Sequence, residues 1–213
     1  MGTDERIERP GLLYEHAVFG GDAEALATAE RGLDAVEGDL ALARGRLVHA
    51  RFLEDRNEDP RELELFERAL RLYRALGDVR GEAESLFWVG CFRQVVRNAD
   101  DAAVPALERS LELAASIGDG LTASYALRHL GIAEHTAGRL GAARERLEQS
   151  TRLRREVGFM PGVAANLVGL VYIAAAECRR DDALALAEEA GAIAEASGAR
   201  GITRQVEEAR ARL

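Results

Sequence analysis

The side chains that could do chemistry in this sequence are a few histidines, one arginine and several aromatic residues. Tyr125 and His129 are four residues apart, so one helix face would carry both, and a desolvated histidine there could act as a general base. A packed histidine with satisfied hydrogen bonds is the alternative. His129 and His135 are six residues apart, a spacing at which one helix does not present both to one metal ion. We therefore predict no metal site, no cofactor and no catalytic residue.

Arg128 and the two cysteines complete the inventory. The forked guanidinium of Arg128 could bind a carboxylate or a phosphate of a ligand, although a salt bridge to Glu84 of a neighbouring helix would explain it equally well. Cys91 and Cys178 lie in apolar helical stretches without metal-like spacing, which predicts reduced packing residues. No nucleotide cradle, Ser-His-Asp set or catalytic carboxylate pair is recognisable in the sequence.

An internal repeat indicates which elements position these side chains. A segment at 66–72 precedes Gly77, and similar segments at 107–113 and 147–153 precede Gly118 and Gly158, with a weaker copy at 187–193. The period is about 40 residues, and a constant period of this size is typical of a stack of supersecondary units.

Each unit is predicted to be a pair of helices, because its apolar residues recur at helical spacing. The pairs Gly38-Asp39, Gly77-Asp78 and Gly118-Asp119 resemble helix ends, where glycine closes one helix and aspartate caps the next. These patterns predict an all-α protein, an α-solenoid of antiparallel helix pairs with about eleven helices. We expect an N-terminal capping helix at 1–21, a repeat array at 22–198 and a C-terminal capping helix at 199–213. The predicted helices are 11–20, 22–36, 39–55, 60–76, 79–97, 100–116, 119–137, 140–156, 160–178, 180–197 and 199–212.

One unit carries the marks of a known family. It contains Leu127, Leu130-Gly131, Ala143, Leu147 and Ser150 at matching intervals, and in this it resembles the tetratricopeptide repeat. The period is longer than the usual 34 residues and is similar to that of a 40-residue variant found in bacterial regulatory proteins. The resemblance implies a right-handed α-solenoid in which the first helix of each pair lines a concave groove. The Lys, Asn and Arg of the family's carboxylate clamp are missing, which disfavours the binding of chaperone tails.

The groove positions implied by the resemblance are unusually rich in aromatic and histidine side chains. An apolar groove with a few polar groups is typical of a site for an amphipathic peptide or a small hydrophobic molecule, while the alternative is a packed core. The candidate groove residues are His49, Phe52, Glu84, Phe87, Trp88, Cys91, Tyr125, Arg128, His129, Ile132, His135 and Tyr172.

Composition excludes several partners. The formal charge of −9 and the pI near 5.1 argue against nucleic acid, which needs a concentrated basic face. None of the 28 basic residues is lysine, which is typical of a GC-rich bacterial genome. No apolar leader and no stretch long enough to span a membrane is visible, so we expect a soluble cytoplasmic protein.

The function predicted from the sequence is that of a non-enzymatic scaffold in bacterial regulation, which binds a peptide or helix of a partner protein in its groove. The alternative is a protein that senses or transforms a small hydrophobic metabolite, with the groove as a pocket. Self-association into a homo-oligomer is a third possibility, because the ends of a solenoid expose apolar helix faces unless they are capped.

Overall fold

The computed structural model describes residues 5–213 and folds them into ten α-helices without a strand. Consecutive helices are joined by short turns. Their bounds are α1 Glu5–Gly20, α2 Ala23–Asp55, α3 Arg61–Leu76, α4 Val79–Cys91, α5 Asp100–Ser116, α6 Gly120–Thr136, α7 Leu140–Glu156, α8 Met160–Ala176, α9 Arg180–Ala196 and α10 Arg200–Arg210. The first four residues of the predicted capping helix at 1–21 lie outside the described part.

Two of the three predicted Gly-Asp junctions are confirmed. Gly77 and Gly118 adopt left-handed φ values of 71° and 69°, a conformation that glycine enters without a steric penalty. Asp78 and Asp119 then cap α4 and α6, since their side chains accept hydrogen bonds from backbone N–H groups of the first turn. From residue 56 onward a left-handed residue recurs every 20 or 21 positions, at 56, 77, 98, 118, 138, 158, 178 and 198.

The third junction, Gly38-Asp39, was predicted wrongly, because the chain continues there as one helix of 33 residues, α2. Gly38 is helical and packs against the ring of Tyr73, which a side chain at position 38 would crowd. The Asp39 carboxylate does not cap a helix. It accepts a hydrogen bond of 2.7 Å from the Tyr73 hydroxyl and forms an ion pair with Arg6. The number of helices is therefore ten where about eleven were expected.

A π-helical turn at Phe92–Val96 continues α4 and closes with a hydrogen bond from the Arg97 N–H to the Phe92 carbonyl. The repeat unit that contains it is one residue longer between Gly90 and Ala103 than the unit between Gly131 and Ala143. A π turn accommodates one extra residue within a helix, so it keeps the neighbouring helices in register.

The packing is that of a solenoid, as the repeat predicts. Each helix packs against the next along the chain, and α4 also contacts α6, α6 contacts α8, and α8 contacts α10. The even-numbered helices therefore lie side by side and form one face, which we call the inner face. Helix pairs approach closely at Gly90, where an added Cβ would lie 2.7 Å from the Leu107 side chain.

The cysteine prediction is confirmed for one residue and wrong for the other. Both are free thiols, and Cys91 is buried. Cys178 is exposed and lies in the turn after α8 with a φ of 59°, at a position where the other turns of this half of the chain have glycine. It is a turn residue and not a packing residue.

Candidate functional site

The inner face carries two neighbouring cavities that are open to solvent. The first, which we call the Trp88 cavity, has a volume of about 280 Å³ and the second, the Tyr172 cavity, about 260 Å³. Helix α6 contributes to both, and Tyr125 and Ile132 lie two helical turns apart, roughly 10 Å along its axis. The Trp88 cavity is lined by Arg46, Glu84, Phe87, Trp88, Leu121, Thr122 and Tyr125. The Tyr172 cavity is lined by Arg128, Gly131, Ile132, His135, Leu147, Val168, Gly169, Tyr172, Ile173 and Gln205.

Most of the residues predicted from the sequence line these cavities. Glu84, Phe87, Trp88 and Tyr125 belong to the first cavity, and Arg128, Ile132, His135 and Tyr172 belong to the second. The other four line neither cavity: His49, Phe52 and Cys91 are buried, and His129 is partly buried. The candidate set thus divides into a cavity wall and a layer of core behind it.

The wall of the Trp88 cavity is a series of aromatic rings. Trp88 stacks on Phe66 at 5.3 Å between ring centroids and meets Phe87 edge-on at 5.0 Å, and Phe87 lies 5.2 Å from Tyr125. Such ring pairs stabilise a fold beyond the area they bury, by about 0.5–1.5 kcal/mol each. The Nε1 of Trp88 is buried and has no hydrogen-bond partner among residues 5–213. The rings are therefore held rigidly, with one polar donor left unsatisfied.

The salt bridge between Arg128 and Glu84, which was the alternative to a ligand-binding role, does not form. Glu84 pairs instead with Arg46 of α2, and the Arg46 guanidinium lies over the Trp88 ring at 5.7 Å from its centroid. Arg46, and not Arg128, is therefore the cation that neutralises Glu84. Arg128 is left without the carboxylate that would have neutralised it.

Arg128 projects from α6 into the Tyr172 cavity with part of its guanidinium unused. Its Nη1 donates to the Ala165 carbonyl at 2.8 Å and to the Oδ1 of Asn166 at 3.0 Å. Its Nε and Nη2 donate to no group within residues 5–213. Burial lowers the pKa of Arg128 to about 10, so the side chain remains charged at neutral pH.

A second buried arginine, Arg154 of α7, was missed by the sequence analysis. It is 2% exposed, and its Nη1 donates to the Gly162 carbonyl at 2.8 Å and to Asn166 Oδ1 at 2.9 Å. Its guanidinium lies 4.9 Å from the centroid of the Tyr125 ring. Burial and the positive charge of Arg128 lower its pKa to about 9. Among the described residues neither guanidinium forms an ion pair with a carboxylate, which leaves one positive charge in the wall of the Tyr172 cavity and a second next to the Tyr125 ring.

His129 belongs to a hydrogen-bond network behind the Trp88 cavity. The amide nitrogen of Gln94 donates to Asp100 at 2.7 Å and to the His129 carbonyl at 3.0 Å, so its Oε1 accepts from His129 Nδ1 at 2.6 Å. Burial, followed by the nearby charges of Arg128 and Arg154, lowers the pKa of His129 to about 3. No hydrogen bond joins His129 to Tyr125 in the described chain. The geometry supports a satisfied structural histidine and not the general base.

A second polar cluster, His49 with Glu62 and Cys91, lies inside the core between α2, α3 and α4. The Nδ1 of His49 lies 2.7 Å from Glu62 Oε1, and its Nε2 lies 3.7 Å from the Cys91 sulfur. The order Cys91, His49, Glu62 resembles a catalytic nucleophile, base and acid. However, Cys91 is 3% exposed, and burial raises the pKa of its thiol to about 12. A protonated, inaccessible thiol is not a nucleophile. The cluster links three helices through hydrogen bonds.

Glu62 and Asn166 were also not predicted from the sequence, although both left a signal in it. Glu62 lies four residues before Phe66 on the apolar face of its helix, and a carboxylate at a core position requires a buried partner. Asn166 lies in an otherwise strongly apolar helix and is completely buried. Arg154 left no such signal. Three of the four residues at 152–155 of α7 are arginines, and the sequence does not distinguish the buried one from the other two.

Within residues 5–213 no group of three His, Cys, Asp or Glu side chains is arranged to hold a metal ion. None of the described helices combines the length and apolar character needed to cross a bilayer. The sequence matches no protein-family model and shows no significant similarity to a curated protein.

Proposed function

We propose that the chain is an interaction module of the tetratricopeptide type, which binds a peptide or helix of a partner protein along its inner face. The ligand carries apolar side chains for the two cavities and a carboxylate for Arg128. The main support for the proposal is the guanidinium of Arg128, which has no carboxylate partner within residues 5–213 and lies in a cavity that contains no other charged arginine, aspartate or glutamate. A buried charge without a counter-ion costs free energy, and an anionic ligand group would remove that cost.

The sizes of the cavities favour a peptide over a metabolite. Sites for drug-sized molecules enclose about 300–1,000 Å³ and cover most of the ligand. Here two open cavities of about 260 and 280 Å³ lie side by side, and each suits one or two side chains. A spacing of roughly 10 Å along α6 corresponds to two turns of a bound helix or about three residues of an extended strand.

The charge of the site also specifies the chemistry of the ligand. The charged groups around the Trp88 cavity, Arg46 and Glu84, neutralise each other. Arg128, which lines the Tyr172 cavity, has no such partner within the described residues, and neither has Arg154, which shares the Asn166 acceptor with it. The ligand therefore places an Asp, a Glu or a terminal carboxylate beside Arg128, in spite of the net negative charge of the protein.

A selection from a random-peptide display library tests the proposal. We expect the wild-type protein to enrich peptides that combine an aromatic or aliphatic residue with an acidic group at a fixed spacing. The variant Arg128→Gln keeps one donor for the Ala165 carbonyl and should enrich peptides without the acidic group. Arg109→Gln on α5 removes an exposed arginine, which pairs with Glu112, and serves as the matched control. Identical consensus sequences for wild type and Arg128→Gln, or no enrichment with either, would contradict the proposal.

The proposed place of this module in bacterial regulation rests on the repeat resemblance alone. Capture of a partner from the native host with wild-type protein, but not with Arg128→Gln, would support it. A partner that both proteins retain equally would show that the inner face is not its binding site.

A further inference from the structure

The outer face of α2 is covered by α1 along its first half and is open along its second half. Ala25 and Ala29 are buried where α1 packs, and the ion pair between Arg6 and Asp39 marks the point where α1 begins. The same helical face continues beyond this point with residues that are exposed. These exposed apolar residues are Leu40, Ala43, Leu47 and Ala50.

The open stretch matches α1 in length. Helix α1 has 16 residues, and so does the part of α2 from residue 40 to residue 55. Leu47 is 63% exposed, and together with Arg44 and Arg51 it lines a surface groove of about 390 Å³ between α2 and α3. Neither of these two arginines forms an ion pair within residues 5–213. The groove thus offers an apolar centre beside two unpaired cations, and Glu64 is the one carboxylate among its lining residues.

Helix α1 presents the complementary face to solvent. Its partly buried residues, Pro10, Leu13 and Ala17, lie on the side that packs against α2, and α1 has no fully buried residue. The opposite side carries residues spaced four, three and four apart, which share one face of the helix. These are Glu8, Leu12, Glu15 and Phe19, of which Leu12 is 61% and Phe19 83% exposed.

We propose that two copies of the chain form a symmetric dimer, in which α1 of each copy packs along residues 40–55 of α2 in the other copy. The two α2 helices run antiparallel, and the two α1 helices lie end to end between them. Each α1 is then parallel to the α2 of the other copy. The two-fold axis passes near the N-terminal ends of both α1 helices, beside Asp39, so each open stretch receives one α1.

The register of this arrangement pairs opposite charges. With residue 5 of α1 opposite residue 40 of α2, Leu12 lies opposite Leu47, and Glu8 and Glu15 lie opposite residues 43 and 50. Each glutamate is then one residue away from an arginine of the other copy, Glu8 from Arg44 and Glu15 from Arg51. Leu12 then packs against Leu47, between the two ion pairs. Residues 8 and 15 of α1 and residues 44 and 51 of α2 are both seven positions apart, about two helical turns, so the two ion pairs flank the leucine contact. Neither Glu8 nor Glu15 forms an ion pair within the described part of a single copy.

A second copy is the occupant that these observations specify. One chain carries both surfaces, so a two-fold operation forms every contact twice. Leucine and phenylalanine side chains exposed to this extent, and grouped on matching helix faces, are typical of an interface. The inference does not depend on the function proposed for the inner face.

Sedimentation equilibrium of the full chain, over a wide concentration range, tests the dimer. We expect a reversible dimer for the wild type and a dissociation constant at least about tenfold higher for Phe19→Glu and for Leu47→Glu. Leu184→Glu on α9, at a leucine that is 43% exposed, is the matched control and should dimerise as the wild type does. Circular dichroism verifies that each variant keeps its helical content. A wild type that stays monomeric throughout would overturn the proposal.

A charge exchange tests the register. The double variant Glu8→Arg, Glu15→Arg should weaken the dimer, and the further changes Arg44→Glu and Arg51→Glu should restore it. High salt should weaken the wild-type dimer, since the paired charges lie at the rim of the interface. A dimer that neither the Phe19 and Leu47 variants nor the charge reversal weakens would show that the copies associate through another surface.

Discussion

The guanidinium groups of Arg128 and Arg154 donate to one and the same atom, the amide oxygen of Asn166. Two like charges share a neutral acceptor in the interior between α6, α7 and α8. The arrangement is rigid, because the Asn166 amide nitrogen donates to the Ser150 hydroxyl at 2.8 Å, and that hydroxyl donates to the Ser124 carbonyl at 2.6 Å. Arg128 is thereby held at the wall of the Tyr172 cavity, where its Nε and Nη2 have no acceptor among residues 5–213.

Removal of the shared acceptor should destabilise the fold. Asn166→Ala deletes hydrogen bonds from two buried cations, and each such bond contributes about 1.5–3 kcal/mol. We therefore expect the free energy of unfolding in urea to fall by about 3 kcal/mol, with Asn57→Ala in the exposed turn after α2 as the control. A loss as small as that of the control would show that the two arginines find other acceptors.

Stability should fall in mild acid because of His129. Its pKa is about 3 in the folded protein and near 6.5 in the unfolded chain, so below pH 6.5 the unfolded chain binds a proton that the folded protein does not. From pH 7 to pH 5.5 this linkage should cost about 1 kcal/mol of the free energy of unfolding. The variant His129→Gln retains a hydrogen-bond partner for Gln94, and its free energy of unfolding should fall less between pH 7 and pH 5.5. Equal losses in wild type and variant would mean that His129 is not kept neutral by the fold.

The turn after α8 can be stabilised. Cys178 has a left-handed φ of 59°, which costs a residue with a Cβ about 1 kcal/mol relative to glycine. Cys178→Gly should therefore raise the melting temperature, while Cys178→Ala, which keeps the Cβ, should leave it nearly unchanged. The opposite exchange at an equivalent turn, Gly158→Ala, should lower it, since Gly158 has a φ of 74°. A melting temperature that is lower for Cys178→Gly than for Cys178→Ala would refute this account of the turn.

The fold was predictable where each repeat obeys its own local rules. Apolar spacing and the junctions at Gly77 and Gly118 locate most of the helices within a few residues. The same rules failed at Gly38, where the local sequence is that of a junction and a distant residue, Tyr73, decides the outcome. A tertiary contact of this kind has no local signature.

The candidate site was predictable only in part, for a related reason. The helical repeat identifies which residues of α4, α6 and α8 face inward, and eight of them line the two cavities. It does not indicate how deep an inward residue lies, so His49 and Cys91 could not be separated from Trp88 and Tyr125. Arg154 projects from a second helix of a pair, where the repeat predicts only stacking contacts.

The tryptophan of the inner face provides a direct readout of the central claim, since Trp88 is the single tryptophan of the chain and lines a cavity. An acidic peptide selected by the wild-type protein is titrated into wild type and Arg128→Gln, and the Trp88 fluorescence is followed. We expect saturable binding to the wild type and an affinity about 10- to 100-fold lower for the variant, as for the loss of a charged hydrogen bond. A neutral amide version of the peptide should bind both proteins equally weakly. Equal affinity of wild type and Arg128→Gln for the acidic peptide would contradict the claim that Arg128 binds a carboxylate of the ligand.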